Sequence, residues 1–253
     1  MMIIDAYCHC GISKYQPIEN VKQVMQQIGV KRAVLVQHLG EFDNSYISSV
    51  VQAEPEMFAG VALVNPESSR VMDDLNEIAA ADVCKGIRWP IPVGFDYDDA
   101  ISHTTALGLN IVAYFPDGLD RSIVEIKRTL QRSPEATMVL THLGDPGIDK
   151  SLSRYKAADV FSLASFPNVF VQLSGMKMSC DYPHEEMYDL IGAFYDAFGE
   201  DHLVWGSNFP VVGDLADYDR DLLLLLDDLL PIPTEAIEKI AGLNALKLWW
   251  NAD

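Results

Sequence analysis

Short apolar runs alternate with amphipathic stretches along the whole chain. Eight runs read as strands: Ile3–Cys8, Ala33–His38, Ala59–Val64, Gly86–Trp89, Asn110–Phe115, Met138–His142, Val169–Ser174 and Leu203–Ser207. Most are continuously apolar, the pattern of parallel strands covered on both faces. Between them, Val21–Ile28, Val71–Ala80, Ser122–Arg132 and Met187–Phe198 repeat apolar residues at three- and four-residue spacing, which predicts helices with one buried face. Asp219–Leu230 and Thr234–Trp249 read as further helices, the second following Pro231 and Pro233 with Thr234 placed to cap it. Strands alternating with helices predict a parallel sheet, and eight strands close a barrel. No glycine-rich phosphate loop follows any strand, which counts against an open doubly wound sheet. The expectation is an α/β chain: a single (β/α)8 TIM barrel over residues 1–253 with an extra C-terminal helix.

Composition narrows the partners. With 253 residues, 49% of them hydrophobic, a sizeable core is available. There are 37 acidic against 18 basic side chains, a net charge of −19. Such a surface repels phosphate backbones and anionic lipid, so nucleic acid and membranes are not expected partners. A small molecule is, and an anionic one would need a local cation in its pocket. The start, Met1-Met2-Ile3-Ile4-Asp5, lacks the basic segment of a secretory leader, and the longest apolar run, Leu222–Leu226, is far too short to span a bilayer. Cys8, Cys10, Cys84 and Cys180 read as free thiols of a cytoplasmic protein. A homo-oligomer stays open.

In a barrel of this kind, polar residues at the C-terminal strand ends line the active site. Those ends carry Tyr7 and His9, Gln37 and His38, Asn65, Arg88 and Trp89, Tyr114 and Phe115, His142, Gln172 and Ser174 with Lys177 nearby, and Asn208. Alternation along the first strand sends Cys8 away from Tyr7 and His9. His142 precedes the loop Leu143-Gly144-Asp145-Pro146; it is the main candidate for a general base, its other role being to order that loop. His9, taken alone, would pass for a core histidine. The Arg88 fork matches a carboxylate, from a substrate or from a neighbouring acidic side chain. Lys177 would add a second positive charge or point into solvent. Trp89 and Tyr114 would wall the pocket, or simply pack. Asn208 cannot act as a base but can donate to a carbonyl oxygen. His103, His184 and His202 read as surface residues. Ser174 lacks a nucleophile elbow.

Several of these segments also resemble one family. Ile3-Ile4-Asp5-Ala6-Tyr7-Cys8-His9-Cys10, Lys85–Trp89, Val139–Gly144, Asn168–Gly175, Val204–Pro210 and Ile240–Trp249 resemble, in order, strands one, four, six, seven and eight and the terminal helix of the amidohydrolase-related TIM-barrel hydrolases, in the branch with 2-pyrone-4,6-dicarboxylate lactonase and sugar lactonases. The resemblance implies a metal centre of two first-strand histidines, often one on the fifth strand, one on the sixth, and an eighth-strand aspartate. Here the first of these is Tyr7, the fifth strand has no histidine, and the aspartate position holds Asn208. Only His9 and His142 remain as metal ligands, fewer than the three protein ligands a catalytic zinc wants. The expectation is that no cofactor is required, with a weakly bound divalent metal such as zinc as the alternative. The implied function is hydrolysis of a lactone or ester of a small organic acid, with His142 or His9 as general base, Arg88, Tyr7, Trp89, Tyr114 and Lys177 binding substrate, and Asn208 supporting the carbonyl. The alternatives are a decarboxylase of the same family, or a barrel that has lost catalysis and only binds its ligand.

Overall fold

The apolar runs pair strictly in sequence order. A computed structural model describes residues 1–149 and 152–252. Strands β1 (Ile4–Cys8), β2 (Arg32–Val36), β3 (Phe58–Leu63), β4 (Cys84–Pro90), β5 (Asn110–Tyr114), β6 (Met138–Leu140), β7 (Val169–Leu173) and β8 (Leu203–Trp205) form one parallel sheet in the order β1 to β8. The last strand returns to the first through two backbone bonds, Asn208 N–H to Tyr7 O and His9 N–H to Phe209 O, both 2.8 Å. Eight parallel strands closed on themselves make the expected TIM barrel. Its helices are α1 (Ile18–Ile28), α2 (Ser45–Ala53), α3 (Val71–Ala81), α4 (Asp98–Ala106), α5 (Ile123–Arg132), α6 (Leu152–Ala157), α7 (Tyr188–Phe198), α8 (Leu215–Leu226) and α9 (Asn244–Trp250). Among the described residues, no helix is long and apolar enough to cross a membrane.

Side chains sort by strand alternation into two layers. Val34, Val36, Ala59, Val61, Val112, Val139 and Val204 fill the barrel, while Leu35, Phe58, Ile87, Ile111 and Val171 pack outward with the helices. Trp249 of α9 joins the inner layer and plugs the barrel floor. Gly86 makes room for it: a Cβ there would lie 3.1 Å from the Trp249 ring and 2.9 Å from Asn110 O. The extra C-terminal helix thus closes the end opposite the mouth. Thr234 does not cap it; its hydroxyl donates to Asp228 instead, at 2.9 Å. The capping box lies at α8, where Asp214 accepts from Ala216 and Asp217.

β1 breaks its alternation. Its register on β2 shifts between Asp5 and Cys8, so Ala6 and Tyr7 both join the inner layer. Asp5 faces outward and is fully buried, accepting from Tyr7 N, Ser207 N, Ser207 Oγ and Tyr218 Oη at 3.1, 2.8, 2.6 and 2.7 Å. Burial raises its pKa, and the bonds from Ser207 and Tyr218 oppose the rise. The cluster ties β1 to β8 and α8 at the seam where the barrel closes.

Candidate active site

Three strand ends turn into the left-handed backbone region. After β6, His142, Leu143, Gly144 and Asp145 have φ of 51°, 54°, 79° and 53°. Each non-glycine residue there costs on the order of 1 kcal/mol, a strain found chiefly at functional sites. Gly175 after β7 has φ 65°, and Asn208 after β8 has φ 55°. A Cβ on Gly175 would lie 2.9 Å from His142 Nδ1, so glycine serves both the turn and the close approach.

These turns bring His142 to β1. The Tyr7 ring packs edge-on against His9, with centroids 5.1 Å apart, and against His142, at 4.7 Å. His9 Nδ1 lies 2.6 Å from Val36 O, so that nitrogen carries the hydrogen and Nε2 keeps its lone pair. His142 Nδ1 lies 2.7 Å from Ser174 Oγ. The serine hydroxyl donates to Gln172 Oε1 at 3.3 Å, and Gln172 Nε2 donates to Ala6 O at 3.0 Å. A serine that donates to Gln172 accepts from His142, which again leaves Nε2 as the free acceptor. Asn208 is buried, with Nδ2 3.5 Å from Met178 Sδ, and it also hydrogen-bonds His9.

Arg88 is the cation of the site. Its Nη1 donates to Gln37 O at 3.1 Å, and its guanidinium lies 5.7 Å from the Tyr7 ring centroid and 5.1 Å from that of Tyr114. It is only 6% exposed and has no acidic partner within ion-pair distance among the described residues. Its Nε and the Tyr7 hydroxyl are both buried without a hydrogen-bond partner. Such orphaned groups call for an explanation, and a ligand is one. Next to them, Tyr114, His142, Asp145, Gly175 and Met178 line a cavity of about 260 Å³.

Burial sets the titration of the site, with Arg88 second. Desolvation and then the Arg88 charge push His9 down to about 3, against the opposing bonds to Val36 and Asn208. His142 is lowered well below the ordinary range by burial, Arg88 and His9. Both imidazoles are therefore neutral at pH 7. Burial raises the Tyr7 phenol above its ordinary value. The Asp145 carboxyl, bonded by Phe115 N at 3.4 Å, is pushed up to about 7 by burial, which outweighs that bond and Arg88.

This donor set does not fit a zinc centre. It offers two imidazoles, a neutral amide, a phenol whose pKa burial raises, and the Asp145 carboxyl, which burial pushes up to about 7. The Arg88 charge repels a cation, as its effect on both histidines shows. Among the described residues, no three His, Cys, Asp or Glu side chains are grouped to hold a metal.

Some expected residues lie elsewhere. Trp89 faces outward between β4 and α4, donating from Nε1 to Thr104 Oγ1 at 3.2 Å and stacking on Tyr97, so it does not wall the pocket. Its neighbour Arg88 takes the inward position by alternation. Lys177 is held at the surface by an ion pair with Asp217 at 2.6 Å. His184 is buried rather than exposed, and Cys10 packs in the outer layer. Two residues near the site escaped the sequence reading. Tyr15 stacks on His9 at 4.8 Å with φ 71°, and nothing in its loop signals that. Asp145 was visible only as a loop residue, although a carboxylate three positions after a strand-end histidine was the available clue.

The chain belongs to the amidohydrolase family, whose model (Amidohydro_2: Amidohydrolase) matches residues 15–249. It is thus a hydrolase of that family, and its similarities include lactonases and, among solved structures, a 5-carboxyvanillate decarboxylase from Sphingomonas paucimobilis (TM-score 0.64 at 16% identity, covering 95% of this chain and 83% of that one). An L-fucono-1,5-lactonase from Burkholderia ambifaria is 26% identical over 213 residues, 79% of this chain and 73% of that protein. A Pseudomonas putida protein assigned as a 2-pyrone-4,6-dicarboxylic acid hydrolase superposes with a TM-score of 0.79 at 19% identity, covering 98% of this chain and 97% of that one. An amidohydrolase from Burkholderia multivorans with bound zinc superposes at 0.77 with 17% identity, covering 98% and 99%. At those identities the structures speak for the fold alone.

Proposed function

We propose that this protein hydrolyses a lactone of a small organic acid, and does so without a resident metal ion. The observation that supports this reading most is Arg88, a buried guanidinium with no acidic partner among the described residues and an orphaned Nε. Burying an unpaired charge costs several kcal/mol by rough estimate, and a substrate carboxylate offsets that cost with a forked pair. The similarity to an L-fucono-1,5-lactonase supports a lactone as the substrate class, while the carboxylate on it rests on Arg88 alone.

In this reading the lactone carboxylate docks on Arg88, between the Tyr7 and Tyr114 rings. Water attacks the ring carbonyl and gives a proton to Nε2 of His142, with His9 as the alternative base. Asn208 supports the carbonyl oxygen as charge develops on it. The carbon–oxygen ring bond then breaks, and the proton returns to the leaving oxygen, giving a hydroxy acid. Docking also tunes the base: the positive charge of Arg88 depresses both imidazoles, and a bound anion offsets it.

The test is a panel of carboxylated and neutral lactones, assayed with and without chelator. The expected result is turnover of a carboxylated lactone, insensitive to chelator, with about tenfold or greater loss in Asn208→Ala. Turnover abolished by chelator and restored by zinc would overturn the metal-free part. Binding of carboxylic acids with no turnover anywhere in the panel would replace the enzyme by a ligand-binding barrel.

A further inference from the structure

A second cluster of reactive side chains stands outside the barrel, between the β7 loop and α8. Cys180 Sγ lies 3.8 Å from His184 Nδ1, and His184 Nε2 lies 3.0 Å from Asp221 Oδ1. His184 Nδ1 also lies 3.0 Å from the Cys180 carbonyl oxygen. The chain builds this on purpose-shaped backbone: His184 has φ 65°, and its N–H closes a turn on Asp181 O at 2.9 Å, which folds the ring back over Cys180. His184 and Asp221 are buried, at 1% and 5% exposure, whereas Cys180 is partly exposed. The other three cysteines are buried.

Both nitrogens of the His184 ring face oxygen acceptors, a carboxylate on one side and a carbonyl on the other. The Asp221 carboxylate orients the ring, and the other nitrogen stands between the Cys180 carbonyl oxygen and Sγ. A histidine oriented by a carboxylate beside a partly exposed sulfur is an arrangement that takes up the thiol proton and leaves the nucleophilic thiolate.

We propose that Cys180 is a reactive thiol, poised for oxidation by a hydroperoxide and activated by the His184–Asp221 pair. The thiolate sulfur attacks one peroxide oxygen, the O–O bond breaks, and hydroxide leaves and takes up a proton to become water (or an alcohol from an alkyl peroxide). Sulfur loses two electrons and becomes a sulfenic acid; the peroxide gains them. Cys180 directly follows Met178 and Ser179, which line the mouth cavity, so the added oxygen lies on the segment that borders the site. This modification does not depend on what the barrel hydrolyses.

The folded full-length protein is treated briefly with iodoacetamide at pH 7, and in parallel with hydrogen peroxide plus a sulfenic-acid trap, and each cysteine is followed by mass spectrometry. Cys180 is expected to alkylate at least about tenfold faster than the cysteine of an unstructured peptide of the same local sequence, and to be the residue trapped after peroxide. Asp221→Asn should slow it by about tenfold, and His184→Gln by at least as much. A Cys180 that reacts no faster than the peptide overturns the proposal, and so does an unchanged rate in a folded Asp221→Asn variant. Should both variants fail to fold, the comparison of wild type with peptide still decides.

Discussion

Asp5 and Tyr7 stand two residues apart on β1, on opposite faces of the barrel wall, and their surroundings follow opposite rules. Outside, Asp5 accepts four hydrogen bonds from Tyr7, Ser207 and Tyr218, and every donor aimed at it is used. Inside, the Tyr7 hydroxyl and Arg88 Nε are just as deeply buried and meet no partner. A closed network holds a seam together; an open one has capacity left for a ligand. Burial alone does not separate the two, since both are hidden from solvent. What separates them is whether the polar groups have already found each other.

The largest expected effect falls on the closed network. Asp5→Ala strands the Ser207 and Tyr218 hydroxyls and two backbone amides, at roughly 1–3 kcal/mol for each group left unpaired. The total should reach about 3–5 kcal/mol, because the site relaxes in part. Urea denaturation measures it; a loss under 1 kcal/mol would show the cluster to be dispensable. Arg88→Met, on the open side, should behave in reverse. Affinity for a carboxylate ligand falls by about 2–3 kcal/mol, while stability holds or rises because an unpaired buried charge is gone. Calorimetric titration paired with melting curves checks both; unchanged affinity with a large drop in Tm would make Arg88 structural.

The third test is a pH dependence, read as a slope and opposed in part by two raised carboxyls. An unfolded histidine takes a proton below about 6.5. Folded His9 takes one only below about 3, so between those values the unfolded state binds more protons. Stability is therefore lost as pH falls from about 6.5 toward 3, at up to about 1.4 kcal/mol per pH unit for this group. His142 is shifted in the same direction, while the raised carboxyls of Asp5 and Asp145 oppose it. His9→Gln should flatten the acid limb of the stability profile relative to wild type. A limb of unchanged slope would show that His9 is not held neutral by the fold.

The barrel was legible because its strands are buried on both faces, which leaves continuous apolar runs with little ambiguity in period. The observed strands begin and end within about two residues of the predicted ones. The sequence pattern shows no helix over α2, α4 or α6: Ser45–Ala53 carries β-branched residues, Asp98–Ala106 has a weak apolar stripe, and Leu152–Ala157 is only six residues long. Alternation along β4 turns Arg88 inward, whereas Tyr7 faces inward through the β1 bulge, and His142 and Asn208 stand on left-handed turns beyond their strands. The strand-end rule misplaced Trp89, because adjacent residues cannot both point inward without a bulge like the one in β1. Tyr15 and the His184 cluster depend on left-handed backbone at non-glycine positions, which no local pattern announces.

The left-handed turn His142–Asp145 has a consequence for how the site can change. Residues three apart on one helical turn share a face, whichever the hand. His142 and Asp145 thus look into the mouth together, while Leu143 is turned back and fully buried as their anchor. The path of the loop is held by that leucine, by Gly144 and by Tyr155, whose hydroxyl donates to Leu143 O and Gly144 O at 3.1 and 3.0 Å. Position 145 adds a φ that aspartate and asparagine tolerate, and its side-chain oxygen accepts from Phe115 N at 3.4 Å, a bond that either residue can keep. It works as a socket: an exchange between those two residues alters the charge beside the histidine without redrawing the scaffold beneath it.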